Sequence, residues 1–331
     1  MNTSKPALPP LPFKSLTGFV VNVKARLPRK NTEGFIKPPP KDRRIFYDAV
    51  RAVLQNDLCK AETLAAKVNY RLAKLNDTVV NHNYVVLVEN TGGFRALGTY
   101  IFHLAFARNL VVEVPHPLAD EVTLDEGAAI FQATSARALF IAGTHRCANR
   151  DSSPCSGTTT VCNNGTSGKF KISDAGHYTE NFFQEAHGAS LRLKDKPIAI
   201  SLHGNDVDSL PEVVLSNGTT NEAASNSRVN RLRQKLINLG TSAGSCNFPA
   251  DGNLSLCGTT NVQGRLSNGS TLSPCKINAA SASGLFLHIE QHLDIRENPA
   301  ELINALKTVI PARKKKTYLS KAVDSRAKVS D

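Results

Sequence analysis

Residues 110–126 read LVVEVPHPLADEVTLDE, and their order decides the class of fold. Leu110 to Val114 is a short, β-branched apolar run stopped by Pro115, the signature of a buried strand. Apolar residues at helical spacing resume at Leu124 and run to Thr134. Between the two lies a turn carrying His116, Asp120 and Glu121. Strand, polar turn and helix make the repeating unit of an α/β domain.

The same alternation extends in both directions. Strands are predicted at Tyr84 to Glu89, Thr99 to Leu104, Ala138 to Ala142, Ile198 to Leu202, Glu212 to Leu215 and Leu285 to Ile289. Helices are predicted at Leu124 to Thr134, Asn181 to Leu193, Arg228 to Leu239 and Pro299 to Val309. The strands beginning at 84, 99 and 110 have short connections, which implies an antiparallel opening to a largely parallel sheet. From Ile45 to Leu75 the spacing of Phe46, Val50, Val53 and Leu54, then Leu64, Val68 and Leu72, predicts two helices broken near Asp57. The expected organisation is a basic, Pro-rich arm over 1–44, one α/β domain over 45–310 and a basic tail over 311–331.

The net charge of +12 is confined to those ends: residues 1–45 carry +8 and residues 312–331 carry +5, leaving the body at −1. A near-neutral body argues against a broad phosphate-binding face, so no specific nucleic-acid partner is expected. The ends remain able to touch an anionic surface. No run reaches the roughly 18 apolar residues of a membrane span.

Cys147, Cys155 and Cys162 form one cluster and Cys246, Cys257 and Cys275 another, set among Ser, Gly, Asn and Thr with no Cys-x-x-Cys pair. That setting predicts disulfides rather than structural zinc, hence a secreted or periplasmic protein. With three cysteines each, the clusters cannot pair fully within themselves, so a bridge between clusters is expected if all six are oxidised, leaving Cys59 outside. Residues 1–44 lack a signal-peptide apolar stretch, so export implies a signal already removed.

In open α/β sheets ligands bind beyond the carboxyl ends of strands. There the sequence places His116, then Thr144-His145-Arg146, then His203, and finally His288-Ile289-Glu290. Two histidines and a carboxylate converging from strand ends suit a catalytic zinc with an open position, and His116 and His203 are the candidate ligands. The third ligand stays open among Asp120, Glu121 and Glu126, although Thr123 with Glu126 spells a capping box that would give Glu126 a structural role. Glu290 is a candidate general base, with a salt bridge to Arg296 or another basic residue as the plain alternative. Arg146 and Arg265 are candidates for holding a substrate carboxylate or a developing oxyanion.

Taken in order, His116 with Asp120, Ser201-Leu202-His203-Gly204, Asn261 to Arg265 and Leu287-His288-Ile289-Glu290 resemble the zinc-carboxypeptidase-like superfamily. The nearest branches are the N-formylglutamate amidohydrolases and poly-γ-glutamate hydrolases. The resemblance implies a three-layer, mixed and largely parallel sheet flanked by helices. It favours Asp120 as the carboxylate ligand through the pattern His116, Pro117, Asp120, Thr123, and it brings Thr144-His145-Arg146 and Asp174-Ala175-Gly176-His177 to the pocket, with His145 and His177 as supporting or proton-transfer groups. It implies zinc-dependent cleavage of an amide in a carboxylate-bearing, small-molecule or peptide-like substrate, with Glu290 as base. An esterase on the same site and a non-catalytic secreted binding protein are the alternatives.

Overall fold

A computed structural model describes residues 7–270 and 273–314. Its helices are α1 (Leu16–Arg26), α2 (Pro40–Leu54), α3 (Leu58–Ala66), α4 (Thr123–Thr134), α5 (Phe182–Ser190), α6 (Arg228–Asn238), α7 (Val262–Ser267), α8 (Leu293–Glu297) and α9 (Ala300–Val309). Its strands are β1 (Tyr70–Asp77), β2 (His82–Glu89), β3 (Thr99–Phe102), β4 (Arg108–Val114), β5 (Ala136–Ile141), β6 (Ile198–Gly204), β7 (Val213–Ser216), β8 (Ala243–Ser245) and β9 (Phe286–Gln291). They form one mixed sheet in the order β1-β2-β3-β5-β4-β6-β9-β7-β8.

Side-chain alternation along the central strands divides the core in two. Val112, Val114, Leu139, Ile141, Ile200, Leu202, Leu287 and Ile289 face one way, onto α1, α4, α6 and α9. Val111, Ala138 and Phe140 face the other way, onto α2, α3 and α5. This period of two follows from the pleat. On the second face Phe46 stacks on Phe182 with ring centroids 4.0 Å apart and meets Tyr70 and Tyr100 at 5.0 and 4.9 Å. A buried aromatic of this kind is worth about 3–5 kcal/mol over alanine.

Three expectations need correction. Residues 70–77, read as the end of a second helix, are strand β1, paired antiparallel with β2 from Tyr70↔Glu89 to Asp77↔His82. The antiparallel opening is real, but it runs β1-β2-β3-β5: β5 inserts beside β3, and β4 pairs parallel with β5 and β6. β3 pairs through three residues with β2 and through all four of its own with β5. Within the segment read as an extended arm, α1 is capped by Ser15 and buries Leu16, Phe19, Val20 and Val23. From residue 315 onward the basic tail lies outside the described residues.

Three disulfides join Cys147–Cys162, Cys155–Cys275 and Cys246–Cys257. The second links the two clusters, and Cys59, exposed on α3, lies outside the three bridges. No helix among the described residues is long and apolar enough to cross a membrane.

Candidate metal centre

The parallel strands β4, β6 and β9 end together. In the β6–β9 register Ser201 lies opposite His288 and His203 opposite Glu290, while Leu202 and Ile289 between them point into the apolar core. Four polar side chains are thereby set on one face by the pleat alone. His116 enters from the turn after β4, where the Asp120 N–H donates to the His116 carbonyl and Thr123 Oγ1 donates to the Asp120 carbonyl at 2.6 Å. This turn folds Asp120 back toward His116.

The result is a tight triangle of potential donor atoms. His116 Nδ1 lies 3.0 Å from Asp120 Oδ2 and 3.2 Å from His203 Nδ1, and His203 Nδ1 lies 3.4 Å from Asp120 Oδ2. Ligand atoms of a tetrahedral zinc, at bonds of about 2.0–2.1 Å, stand about 3.3–3.4 Å apart, so the triangle fits one face of such a site. Both rings are also oriented from behind: His116 Nε2 is 2.9 Å from Asp174 Oδ1, and His203 Nε2 is 2.9 Å from Ser201 Oγ. A partner on the far nitrogen fixes the ring and directs Nδ1 inward, as metal-bound histidines require.

Charge within the cluster is balanced by contact. Although burial alone would raise the Asp120 carboxyl, His116, His203 and Arg146 hold it well below the ordinary carboxylate range. Asp174 is likewise held low against its burial by Arg146, His177 and His116. Its Oδ2 accepts from Arg146 Nε at 2.9 Å and lies 2.7 Å from Nη2. Burial and Arg146 oppose protonation of His116, but Asp120 and Asp174 raise its pKa overall. His203 is pushed down to about 4, chiefly by burial. Burial, then the negative Asp120, raises the Glu290 carboxyl well above its ordinary value, with Arg146 and Arg296 pulling the other way.

These groups line a cavity of about 470 Å³ that includes His116, Asp120, Arg146, His177, His203, His288 and Glu290. A nitrogen of His203, one of His288 and an oxygen of Glu290 lie within 4.8 Å of one another. Gly258 closes over them, and a Cβ there would stand 2.5 Å from the His288 ring, so only glycine lets the loop pass. His177 stacks on Phe170 at 3.7 Å, with Nδ1 3.0 Å from Asp174 Oδ1.

Of the other sequence candidates, Glu121 is exposed, and its contribution is a main-chain carbonyl that accepts from Arg296. Glu126 is buried against Gln291, outside the triangle. The capping box is not formed: Val122 precedes α4 at φ 68° with no side-chain cap. Arg265 is not brought to the cavity. Its guanidinium is spent on the carbonyls of Thr259, Pro274 and Cys275, on Ser156 Oγ and on Asn278, bracing the loops that Cys155–Cys275 joins. His145 Nδ1 accepts from the Cys147 N–H at 2.9 Å, fixing a turn beside the site. Of the alternative partners for Glu290, Arg296 is engaged by Asp206 and the Glu121 carbonyl, while His288 Nε2 stands 3.7 Å from Glu290 Oε1. Asp174, which the resemblance brings to the pocket in the segment Asp174 to His177 without a role of its own, is the carboxylate that orients His116 and holds Arg146. Its role was not legible, because the partner nitrogen belongs to His116, 58 residues away.

Neither a protein-family model nor a curated protein matches the chain. Among solved structures, it is similar to a provisionally named metallopeptidase from Shewanella amazonensis (14% identity, 80% of this chain and 92% of that chain, TM-score 0.32). It is also similar to a provisionally named carboxypeptidase A from Shewanella denitrificans (10% identity, 77% and 67%, TM-score 0.32). A third is a metallo-carboxypeptidase from Burkholderia cenocepacia (9% identity, 78% and 66%, TM-score 0.33).

Proposed function

We propose that this protein is a zinc-dependent hydrolase that cleaves an amide bond with water, the ion being held by His116 Nδ1, His203 Nδ1 and an Asp120 oxygen. One observation carries the reading: two imidazole nitrogens and a carboxylate oxygen converge at 3.0–3.4 Å, each ring being fixed from behind. Two nitrogens and one oxygen, with space left in a cavity, are a donor set of catalytic zinc sites. The helices on both faces of the mixed sheet suit the zinc-carboxypeptidase-like arrangement that the motifs imply, and three disulfides favour an oxidising, extracellular or periplasmic setting.

A bound zinc would supply electrophilic polarisation of the scissile carbonyl and of the attacking water. The chain's own groups do the rest. Glu290, buried in the cavity wall, takes the proton from the attacking water and returns it to the departing nitrogen. Arg146, locked on Asp174, keeps positive charge beside the developing oxyanion while holding the His116 partner in place. Buried Ser201 and Asp174 keep the two rings from turning. An ester presents the same carbonyl, and cleavage of a matched ester alone would change the leaving group assigned but not the site.

The test separates ion binding from proton transfer. His116→Ala and His203→Ala are expected to lose zinc by metal analysis, whereas Glu290→Gln keeps zinc and loses about 10²–10⁴ in turnover on an amide that the parent cleaves. Full zinc in the histidine variants, or parental turnover in Glu290→Gln, would refute the mechanism.

A further inference from the structure

Resemblance implies a substrate bearing a carboxylate, but the cavity wall is built for something else. Val161, Val207 and Leu256 are 44%, 40% and 38% exposed, come from three separate segments, and all line the cavity with the donor triangle. Single exposed aliphatics are ordinary; three converging on one concave site are a surface waiting for an apolar group. Two are held there by covalent bonds, since Val161 precedes Cys162, bridged to Cys147, and Leu256 precedes Cys257, bridged to Cys246. Leu256 sits at φ 62°, a backbone that a branched side chain rarely adopts. Buried Phe170 and the hydroxyl-bearing Thr158, Thr159, Thr160 and Thr260 add further side chains without charge to this part of the lining.

Among the described residues, Arg146 is the one Lys or Arg that lines the cavity, and it is already committed. Its Nε and Nη2 lie 2.9 and 2.7 Å from Asp174 Oδ2, and Nη1 lies 4.0 Å from Asp120 Oδ1. Arg265 is consumed by loop carbonyls. A substrate carboxylate away from the ion would instead meet Asp120, Asp206 and Glu290 in the lining. A desolvated carboxylate without a cationic partner is strongly disfavoured.

We infer that the site selects an uncharged substrate whose acyl portion is aliphatic and rests on Val161, Val207 and Leu256, and that it discriminates against carboxylate-bearing analogues. The inference rests on the hydrolase reading only for the ion that anchors the carbonyl end.

Binding tests it without turnover. The zinc-loaded full chain is titrated calorimetrically with hexanohydroxamic acid and with the monohydroxamic acid of adipic acid, which share a chelating group and carbon count and differ in the terminal carboxylate. Hexanohydroxamate is expected to bind at least about tenfold tighter, the scale that one or two apolar contacts produce. The double variant Val161→Ser, Leu256→Ser changes only exposed side chains. It should weaken hexanohydroxamate about tenfold and the adipoyl compound less than twofold. Equal or tighter binding of the adipoyl compound, or no binding of either to protein that retains zinc, overturns the inference and leaves the metal site standing. A chain that takes up no zinc overturns the hydrolase reading and this inference with it.

Discussion

Glu126 offers a sharp test of how this core handles charge. It is fully buried in α4, Gln291 Nε2 donates to its Oε2 at 3.2 Å, and neither Glu126 Oε1 nor Gln291 Oε1 has a hydrogen-bond partner. Burial lifts its carboxyl from the ordinary 4.5 to about 8, against weaker pulls from Gln291 and Arg296. The folded state therefore keeps a proton that the unfolded chain releases, so folding is favoured most below pH 4.5 and loses stability as pH rises toward 8. At about 1.4 kcal/mol for each tenfold change in proton affinity, the loss is about 3 kcal/mol at pH 7 and about 5 kcal/mol above pH 8. Glu126→Gln removes the titration and supplies an N–H that can reach the unpartnered Gln291 oxygen. Urea unfolding monitored by circular dichroism should show the parent losing about 4 kcal/mol more than the variant between pH 5 and pH 9, with the variant the more stable at pH 9. Parallel pH profiles would refute the reasoning, for they would mean that Glu126 ionises in the folded state at no cost.

Asp174→Asn should leave the donor triangle in place but weaken the orientation of His116, lowering zinc affinity about 10- to 100-fold in a chelator competition; unchanged affinity would remove Asp174 from the site's support. Replacing Cys155 and Cys275 together with Ser should destabilise the chain by about 4–5 kcal/mol, against about 3 kcal/mol for the Cys147–Cys162 pair, because the first closes a separation of 120 residues and the second 15. Denaturant midpoints of the two double variants in the reverse order would contradict this.

How much of this was legible in the sequence depended on whether the signal was local. The runs at 110–114 and 198–202 lie within β4 and β6, and the run at 285–289 begins one residue before β9, because each is a short, mainly apolar stretch of strand length. Residues 64–75 misled for a definable reason: Leu64, Val68 and Leu72 are four apart, a spacing shared by a helix turn and by two steps along one face of a strand. What separates them is Tyr70, buried two residues before Leu72. The place of β5 beside β3 was not legible, since strand pairing is a property of the assembled sheet. Nor was the fate of Arg265. In sequence it stands in a polar segment beside candidate site residues, and only the closing of Cys155 onto Cys275 turns its guanidinium toward loop carbonyls.

The same alternation that hides nothing in β6 and β9 also explains why the cluster can exist. Buried histidines and carboxylates do not stabilise a fold by themselves, because each must first be stripped of water. Here they occupy every second position of two strands whose intervening residues, Ile200, Leu202, Leu287 and Ile289, are almost wholly buried in the opposite core. A slip of one residue in either strand would exchange the faces. It would put Ser201 and His203, or His288 and Glu290, against the aliphatic side chains of α4 and α9, where no partner awaits them, and would leave leucine and isoleucine beside Asp120. The apolar face thus enforces the register that aligns Ser201 with His288 and His203 with Glu290. The polar face makes any other register still less favourable. Geometry of a few tenths of an ångström at the donor triangle is in this way underwritten by the apolar packing on the far side of the sheet.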